Sequence, residues 1–151
     1  MTHYSDDDAM SISSGISAFE SREFSKAMRL LSPFAGQGDA EAQYRVATMM
    51  LYGLGVVKNE EQGFVMMKAA AEQGHALAQH GLGFMYFEGE NVAQDAEKAI
   101  EWFSKAAEQG MAGSATTLAM MYEQGNIVPR DIEKAKHWYA RAGFDDKVDE
   151  L

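Results

Sequence analysis

The sequence predicts an all-α fold of stacked helix-turn-helix units, an α-solenoid. Three observations predict it: internal repetition, apolar side chains at helical spacing, and glycines at the ends of the predicted helices. Sliding the chain by 36 residues aligns the segments 39–74, 75–110 and 111–146 without gaps. Repetition at this length is typical of solenoids, because one unit cannot bury its apolar face alone and stacked units bury a continuous core.

Small and apolar residues return in register in all three segments. These columns are Ala40, Ala76 and Ala112; Met49, Met85 and Met121; Gly53, Gly89 and Gly125; and Val56, Val92 and Val128. Positions that recur in this way are typical of packing positions. The recurring methionines, and Trp102 with Trp138, are therefore predicted to be core rather than a cofactor site.

Each segment is predicted to contain two helices. In the middle segment the first helix covers about 76–87 and stops at Gly89, which can adopt a left-handed cap conformation because it lacks a Cβ. Asp95 is a candidate N-cap for the second helix, which ends at Gly110. Pro129 lies in the matching connection of the third segment, where it interrupts no helix.

The whole of 1–151 is predicted to be one domain. A shorter helix pair precedes the repeats at 8–38, joined by a tight turn near 21–23, and a tail follows at 147–151. The aspartates at 6–8 are predicted to lie at the positive end of the first helix, where anions are favourable.

The residues from Ala78 to Gly110 carry a family resemblance. They contain Ala-x-x-x-Leu-Gly-x-Met-Tyr-x-x-Gly and, later, Asp-x-x-Lys-Ala-x-x-Trp-x-x-x-Ala-Ala-x-x-Gly. This pattern closely resembles the Sel1-like repeat, a longer-looped relative of the tetratricopeptide repeat, and the segment 8–38 looks more like an ordinary tetratricopeptide unit. The resemblance implies a right-handed solenoid and a role in assembling protein complexes, mostly in bacteria.

Some positions depart from the repeat. The first full segment has Gly63 and Met66 where the others have alanine and tryptophan, which predicts looser packing there. Asn91 and Ile127 stand where the first segment has a second loop glycine, Gly55.

The composition bears on chemistry and partners. There is no cysteine among the 151 residues, which excludes disulfides, thiolate metal sites and cysteine nucleophiles. We find no catalytic motif, no phosphate-binding loop and no metal-ligand cluster among the four histidines, so neither enzyme activity nor a cofactor or metal is predicted.

The formal charge of −10, with dispersed basic residues, disfavours nucleic acid as a partner. No apolar run is long enough to span a bilayer, and no signal peptide is evident, so we expect a cytoplasmic protein without membrane insertion.

A partner surface is predicted by subtracting the packing columns. In tetratricopeptide-like stacks the first helix of each pair lines the concave face, so its variable positions are candidate contacts. They are Tyr44, Thr48, Leu51, Tyr52, Leu77, His80, Phe84, Phe87, Glu88, Thr116, Met120 and Glu123. Many are apolar, and a contiguous apolar patch usually marks an interaction site. The alternatives are that they bury against each other or in a homodimer. On the groove hypothesis, alanine at Phe84 and Phe87 should abolish partner capture and leave the fold intact.

The predicted function is a non-catalytic adaptor that binds a protein or peptide in its concave groove. An alternative is an immunity or antitoxin-type inhibitor that blocks an effector, because −10 would suit a basic active-site cleft. A hydrolase has the least support. The Sel1-type proteins discussed as hydrolases resemble a cysteine-rich secreted branch, whereas this chain has no cysteine.

Overall fold

The computed structural model describes residues 4–151; Met1–His3, and with them the histidine at position 3, lie outside the described part. Within 4–151 the chain forms nine α-helices and no strand. They are α1 (Asp6–Glu20), α2 (Phe24–Gly36), α3 (Ala40–Tyr52), α4 (Glu60–Glu72), α5 (Ala76–Glu88), α6 (Ala96–Glu108), α7 (Ala112–Gln124), α8 (Ile132–Arg141) and α9 (Asp145–Glu150). None of these helices is long and apolar enough to cross a membrane.

Side-chain caps explain where most of the helices begin. Asp39, Asn59, Asp95 and Asp131 each precede a helix and accept a hydrogen bond from the backbone N–H three residues later. Such a bond satisfies one of the four N–H groups that the first turn leaves without a helical partner. Ser5 caps α1 in the same way, and the aspartates at 6–8 lie in its first turn as predicted.

Left-handed glycines explain where the helices end. Gly53 and Gly125 follow α3 and α7 at φ 67° and 66°, and Gly89 follows α5 at φ 70°. Gly38, Gly74 and Gly110 follow the second helices at φ between 94° and 97°. Side chains with a Cβ rarely adopt this region, so the repeated glycines fix the helix ends.

The last second helix is shorter than its counterparts. The helix α8 has 10 residues, whereas α4 and α6 have 13, and the glycine that follows it, Gly143 at φ 88°, comes correspondingly earlier. The helix α9 then begins two residues after that glycine, as α3, α5 and α7 begin two residues after theirs. The tail is therefore mostly helical.

The chain divides into two compact units, Met1–Ala78 and Gln79–Leu151. In the first unit α1 packs on α2, α2 on α3, and α3 on α4. Its core is formed by fully buried Leu31, Val46 and Met49 together with buried alanines. A Cβ on Gly15 would lie 2.6 Å from Leu31, so this glycine lets α1 and α2 approach closely.

The core of the second unit centres on fully buried Leu82, Phe103 and Leu118. Within this unit α6 packs on α7, α7 on α8, and α8 on α9. The helix α9 is anchored by Val148 and Leu151, which pack against the cluster around Tyr139. These contacts attach the tail to the rest of the unit.

Two polar contacts recur with the repeat. Buried Gln43 accepts a hydrogen bond from Gln73 Nε2 at 2.8 Å, and buried Gln79 accepts one from Gln109 Nε2 at 2.8 Å. Each bond joins the first helix of a pair to the residue that ends the second helix. Buried amides need such partners, because an unsatisfied one would cost about 1–3 kcal/mol.

Candidate protein-binding surface

An apolar pocket of about 320 Å³ opens in the second unit. It is formed by α5, α7 and the loop after α7, and is lined by Phe84, Phe87, Thr117, Met120, Met121, Gln124, Asn126 and Ile127. Met120 is 43% exposed and Ile127 is 37% exposed, although both are large apolar side chains. Such side chains, exposed together, usually mark a binding site.

Aromatic packing fixes one wall of the pocket. The Phe84 ring lies edge-to-face with Phe103 at a centroid distance of 5.0 Å, and Phe87 lies against the same ring at 6.3 Å. Phe103 reaches this position because Gly83 has no side chain: a Cβ there would lie 2.7 Å from the Phe103 ring. Phe84 and Phe87 are thus partly buried by the core, and alanine at either position would remove core contacts. We therefore expect such variants to lose some stability as well, so they would not test the groove hypothesis by themselves.

The loop after α7 differs from its two counterparts. Gly55 and Asn91 occupy equivalent loop positions in the left-handed region, at φ 68° and 66°. A β-branched residue is strongly disfavoured there, and among the described non-glycine residues only Arg22 and Asn91 have positive φ. Ile127 therefore has a different backbone conformation from its counterparts, and its side chain lines the pocket.

The predicted contacts on α3 separate into buried and exposed residues. Leu51 is only 8% exposed because it fills the space beside Gly63, where a Cβ would lie 2.7 Å from Leu51 Cγ. Leu51 is a core residue, and the expected looser packing at Gly63 is also wrong. Thr48 is half-buried and donates to the Tyr44 carbonyl at 2.9 Å, whereas Tyr52 is 64% exposed.

Tyr44 belongs to a polar cluster in the first unit. Its ring stacks on His75 at 4.8 Å, and burial raises the pKa of its hydroxyl. His75 Nδ1 accepts from the Ala78 N–H at 3.2 Å, so Nε2 carries the proton and donates to Glu41 at 2.5 Å. This bond, with that from Arg45, holds the pKa of Glu41 at about 2. The cluster is internally paired, which leaves Tyr44 half-buried and little of it open to a partner.

On α5 the predicted contacts also differ in exposure. Leu77 is 41% exposed, and Glu88 is exposed. His80 is half-buried, its Nδ1 lies 2.6 Å from the Oγ of fully buried Ser114, and its ring contacts Phe84 and Phe103. Burial lowers the pKa of His80, so its neutral form is favoured. His80 is mainly a packing residue rather than a free contact.

On α7 only Met120 presents an unengaged apolar surface among the predicted contacts. The Thr116 hydroxyl donates to the Ala112 carbonyl at 2.8 Å. The Tyr139 hydroxyl donates to Glu123 at 2.5 Å, and Lys147 lies 3.5 Å from the same carboxylate. These contacts lower the pKa of Glu123, while burial and Glu123 raise the pKa of Tyr139 to about 12. Glu123 therefore attaches α8 and α9 to α7.

The structure brings together three of the predicted residues, Phe84, Phe87 and Met120, in one pocket. Sequence reasoning missed Thr117, Asn126 and Ile127. The available signal was the replacement of the loop glycine at position 127, which is a departure from the repeat.

Within 4–151, no three histidine or carboxylate side chains are grouped as a metal site would need.

Comparison with protein families identifies the repeat. The Sel1 repeat model matches at residues 40–75, 76–111 and 114–143, which is more than half of the chain. The chain belongs to the Sel1 repeat family. The third match ends at Gly143, in keeping with the shorter α8, whereas the sequence pattern had suggested a segment to position 146.

Solved Sel1 repeat structures confirm the all-α solenoid fold class. A Sel1 repeat protein from Oxalobacter formigenes is 30% identical over 91% of this chain, with a TM-score of 0.81. The protective antigen c5321 of uropathogenic Escherichia coli, which displays an SLR fold, is 30% identical over 90% of this chain, with a TM-score of 0.82. The chain spans 56% and 30% of those two chains. No curated protein matches.

The family also supports a coarse functional statement. Sel1 repeats generally mediate protein–protein interaction, and the proteins that carry them are typically non-catalytic scaffolds.

Proposed function

We propose that this Sel1 repeat chain is a non-catalytic adaptor that binds a protein or peptide through exposed apolar side chains of α5, α7 and the loop after α7. The pocket between α5 and α7 is the principal contact. The observation that carries the proposal is the exposure of Met120 and Ile127, at 43% and 37%, beside the apolar opening lined by Phe84 and Phe87. Apolar and aromatic groups of this kind dominate interface energetics when a partner desolvates them.

The charges of the first helices support a neutral or cationic partner. The helices α1, α3, α5 and α7 contain seven acidic residues (Asp6, Asp7, Asp8, Glu20, Glu41, Glu88 and Glu123) and a single basic one, Arg45. Arg45 is itself paired, with Glu41 at 2.7 Å and Glu20 at 3.5 Å. Phosphate groups would meet no free cation on these helices, so a nucleic acid is disfavoured.

The contact surface is narrower than the sequence predicted. Phe84, Phe87 and Met120 are retained at the pocket of the second unit, and exposed Leu77 and Tyr52 of the first unit are kept only as separate candidate contacts. Leu51 is withdrawn because it is buried. His80 is withdrawn as a primary contact because it is half-buried and its Nδ1 lies against Ser114 Oγ. Glu123 is withdrawn because its carboxylate is bonded to Tyr139 and Lys147.

Met120→Glu tests the proposal without removing a core side chain. The immobilised parent protein is first used to capture partners from a lysate of the source organism. Each captured partner is then purified and titrated with the parent or variant protein by calorimetry. We expect Met120→Glu to weaken a genuine partner at least tenfold, about 1.4 kcal/mol, because the carboxylate faces an apolar interface. Circular dichroism and the melting temperature should stay close to those of the parent.

Met10→Glu is the matched control, because Met10 is 68% exposed on α1 and the change in charge is the same. It should leave the affinity unchanged. A purified partner that binds the parent, Met120→Glu and Met10→Glu equally well would show that the pocket is not the contact.

The inhibitor alternative is favoured by one observation, the formal charge of −10. It makes a separate prediction: a captured partner that is an enzyme or toxin should lose activity in proportion to occupancy. An adaptor should instead bind its partner and leave that activity intact. Measurement of partner activity at saturating adaptor separates the two functions.

A further inference from the structure

We infer that the pocket of the second unit accepts one bulky apolar side chain, presented by a peptide segment whose flanking residues are neutral or basic. The occupant is thus an internal stretch of a partner protein with a phenylalanine, leucine or residue of similar size at its centre. This inference rests on the proposed function and specifies its ligand.

The size of the pocket favours a side chain over a larger group. Its volume of about 320 Å³ lies at the lower end of the range of ligand sites, about 300–1,000 Å³. Phe84 and Phe87 form a wall that is fixed by contact with Phe103. Met120 lies among the other lining residues and is unbranched and flexible, so it can adapt to an aromatic or an aliphatic guest.

Two amides among the lining residues can hold a peptide backbone. Gln124 and Asn126 are both exposed, and their side chains are 3.5 Å apart, at the limit of a hydrogen bond. Each amide offers both donors and an acceptor. A peptide backbone presents the same two groups at every residue, so the amides can bond to it while the apolar side chain enters the pocket.

The charges near the pocket disfavour an acidic segment and a terminal carboxylate. The lining contains no lysine or arginine. Exposed Glu88 directly follows the pocket residue Phe87, and exposed Glu90 lies two residues further along the chain. Arg130 Nε donates to the backbone carbonyl of Glu123 at 3.1 Å, and Lys147 pairs with the Glu123 carboxylate at 3.5 Å. A neutral or basic flank therefore meets the more favourable potential.

The third repeat alone supplies the loop side chain that lines this pocket. Its two counterparts, Gly55 and Asn91, are in the left-handed conformation, whereas Ile127 is not and contributes apolar surface to the opening. The apolar loop side chain is consequently a feature of the third repeat that its two counterparts in this chain do not share.

Methyl NMR of the protein with ¹³C-methyl methionine tests the inference directly. The probes are capped heptapeptides of sequence Gly-Lys-Ser-X-Ser-Lys-Gly, with Phe, Leu or Ala at X, and a Phe version with Glu in place of both Lys. We expect the Met120 and Met121 methyl resonances to shift with the Phe and Leu peptides. The Ala and Glu-flanked peptides should bind at least fivefold more weakly. The methyl of exposed Met10 is an internal control and should not move.

Ile127→Gly removes the loop wall and should weaken the Phe peptide at least fivefold. Val57→Gly is the matched control: it also places glycine in a loop between two helices, at a valine that is 87% exposed, and should leave the affinity unchanged.

Several results would overturn the inference. They are equal affinity for the Ala and Phe peptides, tighter binding of the Glu-flanked peptide, or no methyl shift with any peptide at millimolar concentration. A fourth is a Met120 methyl shift that depends on protein concentration, together with a doubling of the molecular mass of the protein in solution. The last result would identify a second copy of the chain as the occupant. If Met120→Glu weakens binding of a purified partner but none of the peptides binds, the proposed adaptor function is supported and only the inferred ligand is wrong. The two failures are therefore distinguishable.

Discussion

At the scale of single residues, the absence of a side chain at Gly83 decides how the second unit packs. Gly83 is buried in α5, and Phe103 of α6 occupies the space that a Cβ would need. Its backbone is not in the left-handed region, so the requirement is for space and not for conformation. The same ring supports Phe84 and Phe87, and the shape of the pocket therefore depends on this glycine.

We predict that Gly83→Ala destabilises the protein. Alanine improves helix propensity by about 1 kcal/mol, but a Cβ 2.7 Å from a fully buried ring forces repacking that costs typically 1–3 kcal/mol. The clash should prevail, and the urea midpoint should fall. Gly113→Ala is the matched control on α7, since its Cβ would meet only His80 Cε1 at 3.5 Å and should be neutral or slightly stabilising. Equal effects of the two changes would contradict the role assigned to Phe103.

Residue-scale contacts also explain why the candidate site was only partly predictable. Leu51 and Met120 are both apolar residues on a first helix, and the sequence pattern treats them alike. Leu51 is buried because Gly63 leaves room for it, whereas Met120 stays 43% exposed. That difference depends on a residue of another helix, which helical periodicity does not report.

At the scale of the helix, capping was the most predictable feature. The expected N-cap Asp95 accepts from the Lys98 N–H at 3.1 Å, and Asp131 accepts from the Lys134 N–H at the same distance. Capping depends on residues three apart in the chain, so a local sequence pattern is sufficient to find it. The cap of α5 by His75 was not predicted. His75 Nδ1 accepts from the Ala78 N–H while Nε2 donates to Glu41, which is distant in the chain, so a local pattern does not report this arrangement.

We predict that Asp95→Ala costs about 1 kcal/mol of stability, because the first turn of α6 loses its side-chain acceptor. Asp95→Asn should cost much less, since an amide oxygen can accept the same hydrogen bond. Both changes remove one negative charge, so their comparison by chemical denaturation isolates the hydrogen bond. Equal losses in the two variants would assign the effect to charge at the helix end instead.

The connections between helices were less predictable than the helices themselves. Gly53, Gly89 and Gly125 hold the same left-handed conformation, in agreement with the sequence pattern. Two residues later the loops diverge, because isoleucine does not take the conformation that glycine and asparagine share there. The substitution was visible in the sequence, but the direction of the Ile127 side chain was not.

At the scale of the whole molecule, the excess of acidic residues is the dominant electrostatic property. The chain has 23 acidic and 13 basic residues and a sequence pI of about 4.8. Several pairs are exposed, such as Lys58 with Glu60 and Lys68 with Glu72, and such pairs contribute about 0–1 kcal/mol each. They leave most of the self-repulsion in place.

We predict that the melting temperature at pH 8 rises by a few degrees as NaCl increases from about 0.02 M to 0.3 M. Over this range the Debye length falls from tens of ångströms to a few, and repulsion between unpaired carboxylates is screened. Near pH 4.8 the net charge is close to zero, and the rise should disappear. A fall in melting temperature with salt at pH 8 would show that the ion pairs outweigh the repulsion.

The sequence by itself determined the helix pairs, their repetition and most of their ends, because these depend on spacing, caps and glycines within a few residues along the chain. Tertiary structure decided which first-helix side chains are open. Leu51 fills the space beside Gly63, His80 bonds to buried Ser114, and Ile127 lines the pocket with Met120. Exposure is set by the volume that neighbouring helices leave, and that volume depends on residues distant in sequence.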